Sequence, residues 1–226
     1  MTAKSRLALF DVDGTLTPIR SIWQHLLEAK NRWSPQGADN LKRFVAGEIG
    51  YDEFCQLDAQ LLAGVSYPEL ASIAEDIPLS DGVPELFDGL RERGYRIALI
   101  STGLRVLTNT IEQRFPIDAC IANDLSTEDG ICTGGAILEV HESDKGCRAR
   151  ELIQKFGSEH TLAVGDGTAD VPMFREADLA VAVGATSQAA AKAAHVRLPR
   201  LDATAILELA DTAFRDERSM HDSPDR

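Results

Sequence analysis

The sequence lacks the features that mark several large protein classes. Basic residues are outnumbered, with 23 lysines and arginines against 36 acids, and the 226-residue chain has a formal net charge of -13. Nucleic acids and anionic membranes favour a basic surface, so we expect neither as a partner. No apolar run approaches the length of a membrane span, and the residues before the first predicted strand at Leu7 are too few for a secretory leader.

Cysteines are also few. The four in the chain show no CxxC spacing and no clustering with the five histidines. Scattered thiols of this kind are typical of reduced core or surface residues, and we therefore expect a cytoplasmic protein.

Strand-like and helix-like segments alternate along most of the chain. Five short aliphatic runs, at 7–10, 96–101, 119–122, 162–164 and 179–183, lack strict polar alternation. Such runs predict strands that are buried on both faces of a parallel sheet. Helix signals lie between them, with proline at predicted helix starts and glycine past predicted helix ends. The pattern predicts an α/β fold with a doubly wound parallel sheet.

The interval between the first and second predicted strands differs from the rest. It offers apolar residues at helical spacing but no strand. We predict that residues 18–80 form a small helical cap, inserted into an α/β core made of residues 1–17 and 81–214. The charged tail at 215–226 is expected to fray.

Two local patterns add detail. Ser66 and Glu69 have the spacing of a capping box before an apolar helical face. Further along, Glu128, Asp129 and Gly130 lie between two strand-like pieces, which predicts a β-hairpin that extends the edge of the sheet.

Polar residues gather where strands end or helices begin. They are Asp11 and Asp13 after the first strand, Ser101 and Thr102 after the second, Asp166 and Asp170 after a later one, and Lys145 at a helix start. Ligands of open α/β sheets bind at the carboxyl ends of the strands, so these side chains are expected to form one site.

Each group alone has an ordinary explanation. Asp-x-Asp-Gly and Gly-Asp-Gly are common turns, Ser-Thr-Gly is a common helix start, and a single lysine is usually solvated. A calcium loop is disfavoured because the third acid and the distant glutamate of such loops are missing. The combination, in this order along the chain, favours a functional site.

With these motifs the chain resembles the haloacid dehalogenase superfamily, and within it the phosphoserine phosphatase-like branch. The four matching segments are DVDGTL, IST with the following Gly103, DKG and GDGTAD. The position of the predicted cap, between the first and second motifs, is similar to that of the same branch. The resemblance extends from Leu7 to about Val183.

The resemblance implies a division of roles between the first two acids. Asp11 would attack phosphorus and form an aspartyl-phosphate, which splits one difficult step into two. Asp13 would protonate the leaving oxygen and then activate water. Two residues of extended chain span about 6.5 Å, so one carboxylate can meet phosphorus while the other reaches the leaving group.

Charge repulsion at this site calls for a cation. At about 4 Å and an effective dielectric near 20, a pair of like charges costs roughly 4 kcal/mol, and a phosphate dianion would be repelled further. The resemblance implies a Mg²⁺ ion held by the side chains of Asp11 and Asp166 and by the backbone carbonyl of Asp13. Asp170 is similar to the family's acid that orients a metal-bound water or Lys145.

The same resemblance implies how the phosphate is held. Lys145 would direct its charge at the phosphate. The hydroxyl of Ser101 and the backbone N–H groups of Thr102 and Gly103, placed at a helix start, would bind the remaining oxygens.

The cap departs from the branch. Phosphoserine phosphatases generally carry a glutamate for the substrate's amino group, and the matching position here is Arg20. They also use a cap arginine for the carboxylate, whereas the helix expected here offers Gln56 and Asp58. We predict that Arg20, with Trp23, His25 and Gln56, reads a different leaving group, one bearing an acidic substituent; a surface arginine beside a buried tryptophan is the alternative.

The sequence thus predicts a magnesium-dependent phosphatase acting on a small phosphorylated metabolite, as a monomer or homodimer. A phosphomutase or phosphotransferase on the same scaffold is an alternative, because Asp13 serves both chemistries. A receiver-like module that only accepts phosphate on Asp11 is a more distant one, since receivers place that acid after a later strand and need no cap.

Overall fold

Seven strands form one sheet in the part of the chain that the computed structural model describes, residues 5–184 and 187–214. They are β1 (Arg6–Phe10), β2 (Tyr95–Leu104), β3 (Ala119–Glu128), β4 (Ile131–Ile137), β5 (His160–Gly165), β6 (Leu179–Val183) and β7 (Val196–Leu198). The order across the sheet is β4-β3-β2-β1-β5-β6-β7, with β4 antiparallel to β3 and the other neighbours parallel. The predicted α/β class is confirmed.

Helices connect the strands. They are α1 (Ile22–Ala29), α2 (Ala38–Val45), α3 (Tyr51–Leu61), α4 (Tyr67–Glu75), α5 (Val83–Glu92), α6 (Arg105–Glu112), α7 (Lys145–Phe156), α8 (Val171–Glu176), α9 (Gln188–Ala193) and α10 (Ala203–Ala213). None of the helices within the described ranges has the length and apolar character needed to cross a bilayer.

The central strand is buried on both faces, as its apolar run predicts. Leu7 and Leu9 pack into a cluster with residues of α7, α8 and α9, while Ala8 and Phe10 face the opposite cluster. On that side the ring of Phe10 meets Phe87 of α5 edge-on, with centroids 5.2 Å apart. Helices therefore cover both faces and hold β1 rigidly.

Strand order places a binding crevice beside β1. The chain moves from β1 outward through β2 and β3, and then returns to β5 on the other side of β1. The connections of β1 and β5 thus diverge at their carboxyl ends, which leaves a gap where ligands of this architecture bind.

The interval 18–80 contains α1 to α4 and contributes no strand to the sheet. Its division from the core as a separate domain stays a prediction. The predicted capping box at Ser66 is wrong: Ser66 is the N-cap of α4, but its side chain makes no capping hydrogen bond. The carboxylate of Glu69 pairs with Lys30 instead, so it is not available to the helix start.

The predicted hairpin is confirmed, and it binds the cap segment. β3 and β4 pair up to Glu128 and Ile131, and both turn residues, Asp129 and Gly130, have positive φ (50° and 77°). The N–H of Gly64 donates to the carbonyl of Cys132 at 2.8 Å. The hairpin therefore joins the segment after α3 to the sheet.

Sequence patterns missed β7 and understated β2. β7 is a three-residue edge strand that is only partly buried, too short for a periodic signal. β2 continues three residues past its predicted end, through a register shift against β3 between Ser101 and Leu104. The predicted fraying tail at 215–226 lies outside the described residues.

The hairpin turn provides a test of the fold. Gly130 has a φ of 77°, a conformation that costs an L-residue about 1 kcal/mol or more. We expect Gly130→Ala to lower the free energy of unfolding in urea by about 1 kcal/mol, and the neighbouring control Asp129→Asn to leave it within about 0.5 kcal/mol. Equal stability of Gly130→Ala and wild type would contradict the assigned turn.

Candidate active site

A cavity of about 480 Å³ lies between the carboxyl edge of the sheet and helices α1 to α3. Its wall on the sheet side includes Asp11 and Asp13 after β1, Thr102 and Gly103 at the end of β2, and Asp166 after β5. The strand ends thus bring these five predicted residues together across about 150 residues of sequence, whereas Ser101 is buried and is not among the lining residues.

Asp11 is the most tightly held of these acids. Its backbone N–H donates to the carbonyl of Val164 on β5 at 3.0 Å, which extends the pairing of β1 past its last residue. One carboxylate oxygen, Oδ1, accepts from Lys145 Nζ at 2.5 Å, and Oδ2 accepts from Thr15 Oγ1 at 2.9 Å. Burial raises the pKa of Asp11 to about 6, with Asp170 adding to the rise, so the carboxylate is ionised at neutral pH.

Lys145 is the first residue of α7 and is 1% exposed. Its Nζ also donates to Asp170 Oδ1, at 2.6 Å. Burial alone would lower the pKa of Lys145, but the two carboxylates outweigh it and raise the value above that of a free lysine. The ammonium is therefore a fixed positive charge between Asp11 and Asp170.

Asp170 has both oxygens engaged. While Oδ1 accepts from Lys145, Oδ2 accepts from the backbone N–H groups of Asp166 and Gly167 at 2.9 and 2.8 Å. These bonds fold the loop after β5 so that Asp166 is brought beside Asp11. Asp170 thus positions Lys145 and the loop that carries Asp166.

Asp13 is positioned by the first turn of the cap. Its Oδ2 accepts from the N–H of Ile22 at 2.8 Å, while its Oδ1 is buried with no hydrogen-bond partner. Burial raises the pKa of Asp13 to about 7, even though the Ile22 bond lowers it. A carboxyl with such a pKa is suited both to release and to accept a proton near neutral pH.

Gly14 allows the acids to approach. Its φ is 83°, and a Cβ added there would lie 2.7 Å from Asp166 Oδ2. A glycine is therefore required for this close contact.

Asp166 has a perturbed pKa. Burial, followed by the charges of Asp11 and Asp170, raises the pKa of Asp166 to about 7. The positive charges of Lys145 and Arg20 lower the same pKa, but by less.

The acids fit a divalent cation. Ligand atoms of Asp11, Asp166 and Asp170 lie within 4.8 Å of one another. All three are candidate carboxylate ligands, and the unpartnered Oδ1 of Asp13 adds a further buried carboxyl oxygen beside them. Carboxylate and carbonyl oxygens are ligands that hard cations prefer.

The end of β2 differs from its predicted arrangement. Thr102 and Gly103 belong to the strand, and α6 begins only at Arg105, so these residues are not at a helix start. The N–H of Gly103 donates to Ser101 Oγ at 2.9 Å. With its oxygen already accepting, the Ser101 hydroxyl keeps its proton for donation.

The carbonyl of Thr102 is a meeting point of cap and sheet. It accepts from Trp23 Nε1 and Tyr51 Oη of the cap, each at 3.2 Å, and from Asn123 Nδ2 of β3 at 3.0 Å. Since this carbonyl shares a peptide unit with the N–H of Gly103, the cap contacts fix the backbone that faces the acids.

Most of the chain matches a known protein family. A family model described as haloacid dehalogenase-like hydrolase matches residues 8–175, about three quarters of the chain. The chain belongs to the haloacid dehalogenase-like hydrolase family.

Within this family, the chain is similar to several phosphoserine phosphatases. The chain is 32% identical to a phosphoserine phosphatase of Archaeoglobus fulgidus over 80% of its own length and 53% of that protein, so it spans about half of that relative. It is 30% identical to a phosphoserine phosphatase of Idiomarina loihiensis over 82% of this chain and 84% of that one. A solved structure described as a phospho-aspartyl intermediate analogue of phosphoserine phosphatase has a TM-score of 0.78 and 27% identity, covering 92% of this chain and 99% of the other.

These findings confirm the phosphoserine phosphatase-like branch and the prediction of an enzyme from a phosphatase family.

Only two of the four predicted cap residues lie at the cavity. Arg20 and Trp23 line the cavity, whereas His25 and Gln56 are not among its lining residues. The side-chain amide of Gln56 binds the β4 backbone, donating to the carbonyl of Gly134 at 2.7 Å and accepting from the N–H of Ala136 at 3.2 Å. Its placement therefore gives it a structural contact with the hairpin.

The cap side of the cavity contains aromatic residues that the sequence patterns did not single out. Aromatic rings of Trp33, Phe44, Tyr51 and Phe54 line it, together with Asp58. Asp58 Oδ1 accepts from Asn40 Nδ2 at 2.9 Å. These contacts join residues that are far apart along the chain, and no local motif indicates them.

Asp58 predicts a pH dependence of stability. Burial raises its pKa to about 6, above the value near 4 of an unfolded aspartate, so the folded state binds the proton more tightly. The contribution of Asp58 to the free energy of unfolding therefore falls as pH rises between these two values. Asp58→Asn does not titrate. We expect it to gain about 1 kcal/mol relative to wild type between about pH 5 and about pH 8, measured by urea unfolding without metal. An equal difference at both pH values would contradict the buried carboxyl.

Proposed function

We propose that the chain is a magnesium-dependent phosphomonoesterase that hydrolyses a small phosphorylated metabolite through an aspartyl-phosphate on Asp11. The observation that carries the proposal is the contact of Asp11 with Lys145 in a crevice that also holds Asp13 and Asp166. The solved relative described as a phospho-aspartyl intermediate analogue supports the covalent step.

Asp11 is the nucleophile in this proposal. The bonds from Thr15 and Lys145 restrict its rotation, and it is ionised at neutral pH. An oxygen of the carboxylate forms the new bond to phosphorus as the ester oxygen leaves. Water then attacks the same phosphorus, and Asp11 is released as a carboxylate with inorganic phosphate.

Asp13 moves the proton in both steps. One oxygen is fixed by the N–H of Ile22, so the other, Oδ1, can exchange a proton with the substrate. The protonated acid gives its proton to the leaving oxygen, and the resulting carboxylate takes one from the attacking water. The pKa near 7 lets a single group perform both transfers.

Asp11, Asp166 and the backbone carbonyl of Asp13 would hold the magnesium ion. When bound, the ion supplies two positive charges that offset the repulsion between these carboxylates and a phosphate dianion. Lys145 adds a further positive charge, and the Ser101 hydroxyl with the backbone N–H of Thr102 would bind the phosphate oxygens. The N–H of Gly103, which the sequence also predicts to bind phosphate, is bonded to Ser101 Oγ instead.

We propose the substrate only as a chemical class, a small phosphomonoester. Two relatives are named phosphoserine phosphatases, but the cap positions that suit serine in that branch are occupied here by Arg20 and by residues of α3 without arginine. Arg20 is exposed at the cavity wall, where it can meet an acidic substituent of the leaving group.

Replacing the two acids separates their roles. We expect Asp11→Asn to lower kcat by more than about 10³-fold and to abolish trapping of covalent phosphate, because the nucleophile is lost. Asp13→Asn should slow both steps by about 10²-fold to 10⁴-fold. The measurements are phosphate release and intact mass after acid quench. Full activity of Asp11→Asn would refute the assignment, and phosphate release that required an added acceptor would favour a phosphotransferase.

Metal removal provides a second test. We expect chelation to silence phosphate release and added Mg²⁺ to restore it, because the carboxylates then repel the substrate. Activity that persists after exhaustive chelation would contradict the magnesium requirement.

A further inference from the structure

Four aromatic rings on the cap side of the cavity take no part in the proposed chemistry. They belong to Trp33, to Phe44 of α2, and to Tyr51 and Phe54 of α3, and we call them the aromatic wall. All four side chains are partly exposed and all four line the cavity, so ring surface is open to a ligand there. Apolar surface that is left open in a concave site is typical of ligand binding.

The rings hold one another in place. Phe44 and Phe54 stack nearly parallel, with centroids 4.8 Å apart and planes 4° apart. Tyr51 meets Phe44 edge-on, with centroids 6.2 Å apart. The Tyr51 hydroxyl also donates to the carbonyl of Thr102 at 3.2 Å, which fixes this ring against the sheet. A surface that is ordered before the ligand arrives loses less conformational entropy on binding.

The aromatic wall differs from the core of its own segment. Within residues 18–80, Leu26 and Leu70 are examples of aliphatic side chains that are completely buried in the hydrophobic core. The rings of the wall keep part of their surface at the cavity instead. Rings that served only to fill the core would be buried as completely as these leucines.

The cavity is large enough for a ring as well as a phosphate. Its volume is about 480 Å³, whereas an apolar cavity of about 150 Å³ already accommodates benzene. Asp11, Asp13 and Asp166, which the proposed chemistry places around the phosphate and metal, lie on the sheet side. The space beside the aromatic wall is therefore left for the leaving group.

Helix α3 presents rings rather than charges to this space. It carries no lysine, arginine or histidine, so the helix itself offers no counter-charge to a carboxylate. Asp58 of the same helix is 1% exposed, and its Oδ1 is bonded to Asn40. Its Oδ2 has no hydrogen-bond partner. The edge of an aromatic ring carries partial positive charge, so it suits such an oxygen better than a saturated ring does.

Resting on the proposed phosphatase function, we propose that the aromatic wall binds an aromatic ring on the leaving group, and that the substrates are phosphomonoesters of alcohols that carry such a ring. The ring packs against Phe44 and Phe54, by stacking or edge-on contact. Its removal from water contributes binding free energy at a distance from phosphorus. An acidic substituent near Arg20 can be present on the same molecule.

The test compares phosphate esters that differ only at the far end. Wild-type enzyme with Mg²⁺ is assayed on phenylalkyl phosphates with linkers of two to four carbons, on cyclohexylalkyl phosphates with the same linkers, and on the plain alkyl phosphates. The linker keeps the ring away from the ester oxygen, so the acidity of the leaving alcohol stays nearly constant.

We expect kcat/KM for the best phenylalkyl phosphate to exceed that of its alkyl counterpart by about tenfold or more, because the buried ring adds apolar contact. It should exceed that of the cyclohexyl counterpart by about threefold, because the rings of the wall prefer aromatic partners. Equal values for phenylalkyl and alkyl phosphates at every linker length would overturn the proposal, as would a cyclohexyl ring that matches or exceeds phenyl.

Variants assign the preference to the aromatic wall. Phe44→Leu and Phe54→Leu each keep an apolar side chain but remove a ring, and each should lower the ratio of kcat/KM between phenylalkyl and alkyl phosphates by about threefold or more. The control Phe156→Leu changes another partly buried phenylalanine, at the end of α7, that is not among the lining residues. It should keep the wild-type ratio. An unchanged ratio in both variants of the wall would overturn the assignment.

A binding measurement separates this inference from the proposed function. Phenylalkyl phosphonates, which cannot be hydrolysed, are titrated into wild type with Mg²⁺ by calorimetry and compared with alkyl phosphonates. Tighter binding of the phenylalkyl compound by about tenfold supports the aromatic subsite even if no ester is turned over, and in that case the proposed function alone fails. Equal binding of the two phosphonates would overturn the inference while leaving phosphatase activity intact.

Discussion

The site is governed by an imbalance of charge: the carboxylates of Asp11, Asp13, Asp166 and Asp170 surround the single ammonium of Lys145. Burial raises the pKa of three of these acids to about 6 or 7. Like charges this close are unfavourable unless a cation joins them. The same imbalance supports the proposal that the crevice binds a divalent ion and, beside it, a phosphate.

The rest of the fold holds this imbalance in place. β1 lies at the centre of the sheet with helices over both faces, and Asp11 is tied to β5 directly after the strand ends. The cap contributes through Ile22, which fixes one oxygen of Asp13, and through Trp23 and Tyr51, which bind the carbonyl of Thr102. Cap and core are thus joined at the residues where chemistry is proposed to occur.

The strands and the clustering of the acids could be predicted because both depend on local sequence patterns. The buried strands appear as short aliphatic runs, and the acids follow them directly, so parallel pairing alone brings Asp11 and Asp166 together. Thr15 lies inside the first matching segment, DVDGTL, although its hydrogen bond to Asp11 was not predicted. The hairpin turn was also visible, because Asp129 and Gly130 suit positive φ.

What could not be predicted depends on tertiary contacts. The position of Gln56 on α3 suggested a substrate contact, but packing of that helix against β4 gives its amide to the hairpin backbone. The carboxylate of Glu69 forms an ion pair with Lys30 and does not cap the start of α4. The pairing of Asn40 with Asp58 joins two helices at no fixed sequence spacing, and only the folded cavity shows that one oxygen of Asp58 has no partner.

If the clustered carboxylates need a divalent cation, thermal unfolding of the wild type should respond to Mg²⁺ that is added at constant ionic strength. We expect a saturable rise in Tm that is lost in Asp166→Asn, because the folded state alone presents the ligands. A Tm that rises no more with Mg²⁺ than with a sodium salt of equal ionic strength would show that the carboxylates do not require the ion.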